Sequence, residues 1–180
     1  MFWSLLGALA LTLLPQAKPE PPPVSAKHRI TGLFSREREE DLKEAFKKVP
    51  GVALVSVDFE SAEAVLSYDP QKLSNKKQEK EILERLDNLL RQASSHTFGV
   101  KPLSITPKDK LTRLEIAVAG LDCKACGLAA YEVIAKIEGV EAATCSFKEG
   151  KMTALIDPEK TNRAALEDAL KKRGVTLKAS

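Results

Sequence analysis

The chain has 180 residues, 28 Lys and Arg against 25 Asp and Glu, and a net charge of +3. Both signs are mixed along its length, with no basic face and no ladder of aromatic residues, which argues against nucleic-acid binding. Three cysteines are too few for a disulfide scaffold, and the length allows about two small domains.

Residues 2–14 form an almost unbroken apolar run, of signal-peptide length and shorter than a membrane-spanning helix. Residues 1–17 are therefore expected to be a signal peptide with Ala17 the last residue removed. An uncleaved anchor is the alternative, because no Lys or Arg precedes Lys18. Export would put the chain in the periplasm or outside the cell. Residues 18–26 contain Pro19, Pro21, Pro22 and Pro23 and read as an extended tether.

A first set of elements follows. Residues 27–32 read as a strand. Residues 36–49 read as a helix with Leu42, Ala45, Phe46 and Val49 on one face, capped by Ser35 and acidic in its first turns at Glu37, Glu39 and Glu40. Val55, Val57 and Phe59 alternate like a strand with one buried face, and Glu60-Ser61 turns into a third strand ending at Tyr68-Asp69-Pro70. Residues 74–93 read as a helix striped by Ile82, Leu83, Leu86, Leu89 and Leu90, stopped by Gly99 before a short fourth strand. Residues 104–110, with Pro107, read as a linker that leaves its two neighbours to fold separately.

The same order then recurs. Residues 111–120 read as a strand, and residues 124–137 as a helix with Ala130, Val133, Ile134 and Ile137 at matching positions. Ala143, Cys145 and Phe147 alternate, Glu149-Gly150 turns the chain, and a third strand ends at Ile156-Asp157-Pro158. Residues 162–173 form the last helix, with Ala165, Leu166, Ala169 and Leu170 inward and Gly174 at its end. Gly32-Leu33 recurs as Gly120-Leu121, Gly51-Val52 as Gly139-Val140, and Asp69-Pro70 as Asp157-Pro158, each 88 residues on without a gap. Three dipeptides in one register mark an internal repeat. The order is β-α-β-β-α-β twice, so the expected fold is α+β, two tandem ferredoxin-like domains over residues 27–103 and 111–180.

The chemistry sits in Gly120-Leu121-Asp122-Cys123-Lys124-Ala125-Cys126. Thiols three apart at a strand-to-helix junction can share one side of the chain. The helix N-terminus and Lys124 both favour thiolate. Such a pair suits a soft metal ion or a dithiol/disulfide couple. Cys145 and Met152 are expected to be strand packing, and His28 and His96 satisfied edge histidines.

Residues 111–178 resemble the heavy-metal-associated domain of copper chaperones, metal-exporting P-type ATPases and the periplasmic mercury-binding protein. The family pattern is a strand, Gly-Met-x-Cys-x-x-Cys, a helix, Gly-Val, a hairpin, Asp-Pro, a helix and Gly. This chain supplies Gly120 to Cys126, Gly139-Val140, Asp157-Pro158 and Gly174. Leu121 replaces the family's Met, and Val175 stands where copper chaperones often carry Lys or Tyr. Asp122 before the first cysteine resembles zinc-, cadmium- and lead-exporting domains, and a carboxylate suits Zn(II) better than Cu(I). The first copy resembles the family more weakly, with Ser35 and Arg38 in place of the thiols.

The resemblance implies one metal ion per chain, Cu(I), Hg(II), Zn(II) or Cd(II), held by Cys123 and Cys126 with Asp122 assisting. It implies hand-over by ligand exchange to a metal-transporting membrane protein or another thiol-bearing carrier. Membrane contact is expected only if the N-terminal segment stays uncleaved. No acid/base pair, nucleophile–His pair or phosphate loop is evident in the sequence, so no enzyme is expected. Two alternatives stand beside this reading: a periplasmic dithiol redox module, and an interaction adaptor with a vestigial site. The redox reading would want an aromatic residue before the first cysteine, where this chain has Asp122.

Overall fold

A computed structural model describes residues 23–74, 78–121 and 123–178. The expected leader at 1–17, most of the tether and Asp122 lie outside the described residues. Among the described residues, no helix is long and apolar enough to cross a membrane.

The first copy comprises β1 (Val24–Thr31), α1 (Arg38–Lys47), β2 (Val52–Asp58), β3 (Glu63–Tyr68), the single turn α2 (Pro70–Leu73), α3 (Glu79–Ala93) and β4 (Gly99–Lys101). The second comprises β5 (Thr112–Ala119), α4 (Lys124–Ala135), β6 (Val140–Ser146), β7 (Lys151–Ile156), α5 (Arg163–Lys172) and β8 (Thr176–Leu177). The strands form two antiparallel sheets, ordered β2-β3-β1-β4 and β6-β7-β5-β8. This is the ferredoxin-like plan twice, as the repeat in the sequence predicts.

Each sheet buries one face under its two longer helices. Ile30, Leu42, Phe46, Leu66, Leu86 and Leu90 centre the first core. Val118, Ile134, Met152, Leu166 and Leu170 centre the second. Ile30 and Val118 occupy the same repeat position and are 2% and 0% exposed. Met152 and Cys145 are buried strand residues, as expected. His28 is also buried, and its ring nitrogen lies 3.2 Å from the Tyr68 hydroxyl.

Several local expectations are corrected. Val24 and Ala26 pair with Tyr68 and Leu66, so the end of the expected 18–26 tether is already strand. Val55 is 59% exposed, because the register of β2 against β3 shifts between Leu54 and Ser56. A bulge adds one residue and reverses the alternation beyond it, turning Leu54 and Val57 toward the core. A second bulge lies between Val140 and Ala142. Phe147 falls in the turn after β6 and is 41% exposed, not buried. The helix expected from residue 74 begins at Glu79, after the separate turn α2. Gly99 does not stop α3. That helix ends at Ser94, Ser95 and His96 take positive φ, and Gly99 opens β4. Ser35 does not cap α1 with its side chain: the cap position is Glu37, and the first turn closes by Arg38 N–H to Ser35 O at 3.0 Å.

The two copies are not simply strung on a linker. Phe34, from the loop before α1, is buried in the second core, and its carbonyl accepts the Cys145 N–H at 2.7 Å. The Tyr131 hydroxyl on α4 accepts the Gly32 N–H at 2.7 Å. Arg29 pairs with the Glu141 carboxylate, and both side chains are largely buried. The connecting residues are tied at both ends. The Thr106 hydroxyl donates to Asp157 at 2.7 Å, and Lys108 reaches Glu63 at 2.7 Å. The expectation of separate folding therefore meets a shared apolar contact centred on Phe34.

Candidate metal centre

The second-copy loop is built by its neighbours. β5 ends at Ala119, and Gly120 takes φ +75°. That is the left-handed region, where a side chain would be strained. Leu121 then turns inward and is 4% exposed, fixing the chain to the second core. Leu121, which stands where the resembled family has Met, is thus a core residue of the second copy.

Cys123 is extended, with φ −144° and ψ 158°, and is the N-cap of α4. Its sulfur accepts the Cys126 N–H at 3.1 Å. Cys123 is exposed, whereas Cys126 is half-buried against the second core. A sulfur at the positive end of a helix, receiving a backbone N–H, has negative charge stabilised on it. The arrangement brings the two expected thiols into one helical turn with one open to solvent. Asp122, the third expected ligand, lies outside the described residues.

Behind the loop, Gly127 lets α4 sit on β6. A Cβ added there would come within 3.2 Å of the Cys145 sulfur. Burial pushes the Cys145 thiol up to about 11, so it stays protonated at neutral pH and behaves as a small apolar side chain. His28, in the first copy, is held below its ordinary value by burial, against an opposing pull from Glu79, and it faces Tyr68 of the same copy. His96 is exposed in the turn after α3. Among the described residues, no cluster of three or more His, Cys, Asp or Glu could hold a metal.

The matching loop of the first copy has other work. Arg38, at the position of Cys126, lays its guanidinium 5.2 Å from both the Phe34 and Phe98 ring centroids and bonds Asp41 at 2.8 Å. Phe34, at the position of Asp122, tilts against Tyr131 with ring centroids 5.7 Å apart. A cleft of about 430 Å³ separates Ser35, Glu37 and Arg38 on one side from Ala125, Gly127 and Leu128 on the other. Sequence reasoning missed Phe34 and Tyr131. The available signal was a bulky aromatic in a loop where the second copy has Asp122, and Tyr131 where the first copy has Lys43.

Residues 115–175 match the family model of the heavy-metal-associated domain. A comparison with characterised proteins found no match. Among solved structures, the chain is similar to the N-terminal soluble domains of Bacillus subtilis CopA, 21% identical over 88% of this chain and 94% of that one, with a TM-score of 0.36. It is similar to oxidized MerP from Ralstonia metallidurans CH34, 25% identical over 38% of this chain and 94% of that one, with a TM-score of 0.36. It is also similar to the N-terminal domain of a potential copper-translocating P-type ATPase from Bacillus subtilis in the Cu(I)-loaded state. There the identity is 29% over 38% of this chain and 85% of that one, with a TM-score of 0.37.

Proposed function

We propose that this chain is a metal carrier that takes up one soft or borderline ion on the loop from Asp122 to Cys126 and passes it on by ligand exchange. The observation that carries this reading is the Cys123 sulfur capping α4 and accepting the Cys126 N–H, within the stretch that matches the heavy-metal-associated domain. Cys123 and Cys126 are the metal ligands in this proposal, with Asp122 as a third donor. The first copy, residues 27–103, has no metal site because Ser35 and Arg38 replace the thiols.

Two sulfurs satisfy near-linear Cu(I) or Hg(II). Zn(II) and Cd(II) want more ligands, and Asp122 is the donor at hand in the sequence. Exchange proceeds by addition before loss. An incoming thiolate joins the ion at its open side, and one cysteine sulfur leaves and regains a proton. The exposed Cys123 is the sulfur a partner reaches first. A thiol-bearing metal carrier or a metal-transporting membrane protein is the partner such chemistry serves. The apolar run at 2–14 supports an exported or membrane-anchored location.

The test is kinetic. Cd(II)-loaded full-length chain is mixed with rising concentrations of a small dithiol competitor. Ligand exchange predicts a transfer rate that climbs with competitor concentration. A rate that ignores the competitor would mean the ion must dissociate first, and the carrier mechanism would fall.

A further inference from the structure

Resting on the metal-carrier reading, we infer that the matching loop of the first copy, residues 32–38, positions the dithiol loop of the second, with Phe34 and Tyr131 as the positioning residues. The contacts converge on the two elements that frame the thiols. On α4, Tyr131 accepts the Gly32 N–H at 2.7 Å. On β6, the Cys145 N–H is taken by the Phe34 carbonyl at 2.7 Å, and the Phe34 ring lies in the core between them.

The spacing on α4 makes the coupling direct. Gly127 and Tyr131 lie four residues apart and share a helix face. Gly127 rests on Cys145, one residue along from Cys126. The clamp therefore fixes both the far end of that face, through Tyr131, and the strand under its near end, through Cys145. Gly32 sits in a close backbone packing that admits no side chain. It takes φ +88°, and a Cβ there would stand 2.0 Å from the Thr97 carbonyl oxygen. The hydrogen bond to this amide ties α4 to the first copy at the residue that follows β1.

A two-sulfur site binds best when both sulfurs are held before the ion arrives, because otherwise binding must supply the ordering entropy. The clamp provides that order from outside the second copy. Binding linkage is reciprocal, so an ion on the sulfurs must in turn tighten the clamp. The first copy of the repeat thus keeps a part in metal handling through its loop, though it holds no ion.

The experiment uses the reduced full-length chain, Cd(II) and a chromophoric chelator as competitor. Tyr131→Phe removes only the hydroxyl and should weaken Cd(II) affinity about fivefold. Ile82→Ala, in the first core away from the clamp, should lower the melting temperature and leave affinity unchanged. Cd(II) should slow hydrogen exchange at the Gly32 and Cys145 amides in the wild-type chain. Unaltered affinity in Tyr131→Phe together with exchange unmoved by Cd(II) would overturn the inference. So would an affinity loss in Ile82→Ala equal to that in Tyr131→Phe, since that reports stability alone. Wild-type chain that binds no Cd(II), or Cys123→Ser/Cys126→Ser chain that still does, would overturn the metal-carrier reading itself and the inference with it.

Discussion

The loops at 32–38 and 120–126 are one piece of backbone put to two uses. Both follow a first strand, both begin at a glycine with positive φ, and both bury the next leucine, Leu33 at 1% and Leu121 at 4% exposure. They part at the following residue. Phe34 drives one loop into the neighbouring core, and a backbone turn and the stacked Arg38 complete it. In the other loop, Cys123 stays exposed and caps α4 with its sulfur. Folding of this loop needs the glycine and the leucine. The residues between leucine and helix differ: in the first loop they serve packing, and in the second the proposed function gives them the metal.

The largest expected effect comes from breaking the packing loop. Phe34→Ala leaves a cavity beneath Tyr131 and should cost about 3 kcal/mol, read as a drop in the urea midpoint. A fragment beginning at Leu111 lacks Phe34 altogether and should be destabilised comparably. A fragment as stable as the full chain would make the contact incidental. Next comes the matching position, Asp122. Asp122→Ala should weaken Zn(II) and Cd(II) binding on the order of tenfold and leave Cu(I) nearly unchanged, by competition titration. Equal effects on all three ions would make Asp122 a loop residue only.

The smallest effect separates the two sheets. His28 occupies the repeat position of Ile116, and both are buried. Burial holds the folded His28 below 6.5, with Glu79 opposing and the Tyr68 hydroxyl beside it. The unfolded chain therefore binds a proton more readily. The stability due to neutral His28 is fully present above about pH 6.5 and is lost as pH falls through the folded value. Urea unfolding at pH 7 and pH 5 should show this loss, and His28→Ile should reduce it. An unchanged pH dependence in His28→Ile would place the loss elsewhere.

Most of each copy was legible from periodicity, because a stripe such as Ile82, Leu86 and Leu90 points at one core. The position of the thiols at a strand-to-helix junction was legible for a different reason: two cysteines at a fixed spacing stand between an apolar strand and an apolar helix. The bulges were not, since one inserted residue leaves Val55 looking like part of an alternating strand. Neither was the contact between copies. Phe34 is a single apolar residue in a loop, with no periodic companions, and Arg29 and Glu141 meet across 112 positions of chain. Gly99 misled because a glycine after a helix suggests a stop. Here a Cβ at Gly99 would stand 2.7 Å from Asp87 and 2.8 Å from Thr31, so the glycine serves close packing of β4.

The central claim is a division of labour: one ion per chain, held by the second loop and not by the first. Native mass spectrometry of the reduced full-length chain, titrated with Hg(II), tests it most directly. The account predicts a single one-ion adduct that disappears in the Cys123→Ser/Cys126→Ser chain. A second tightly bound ion, or an adduct that survives loss of both cysteines, would contradict it.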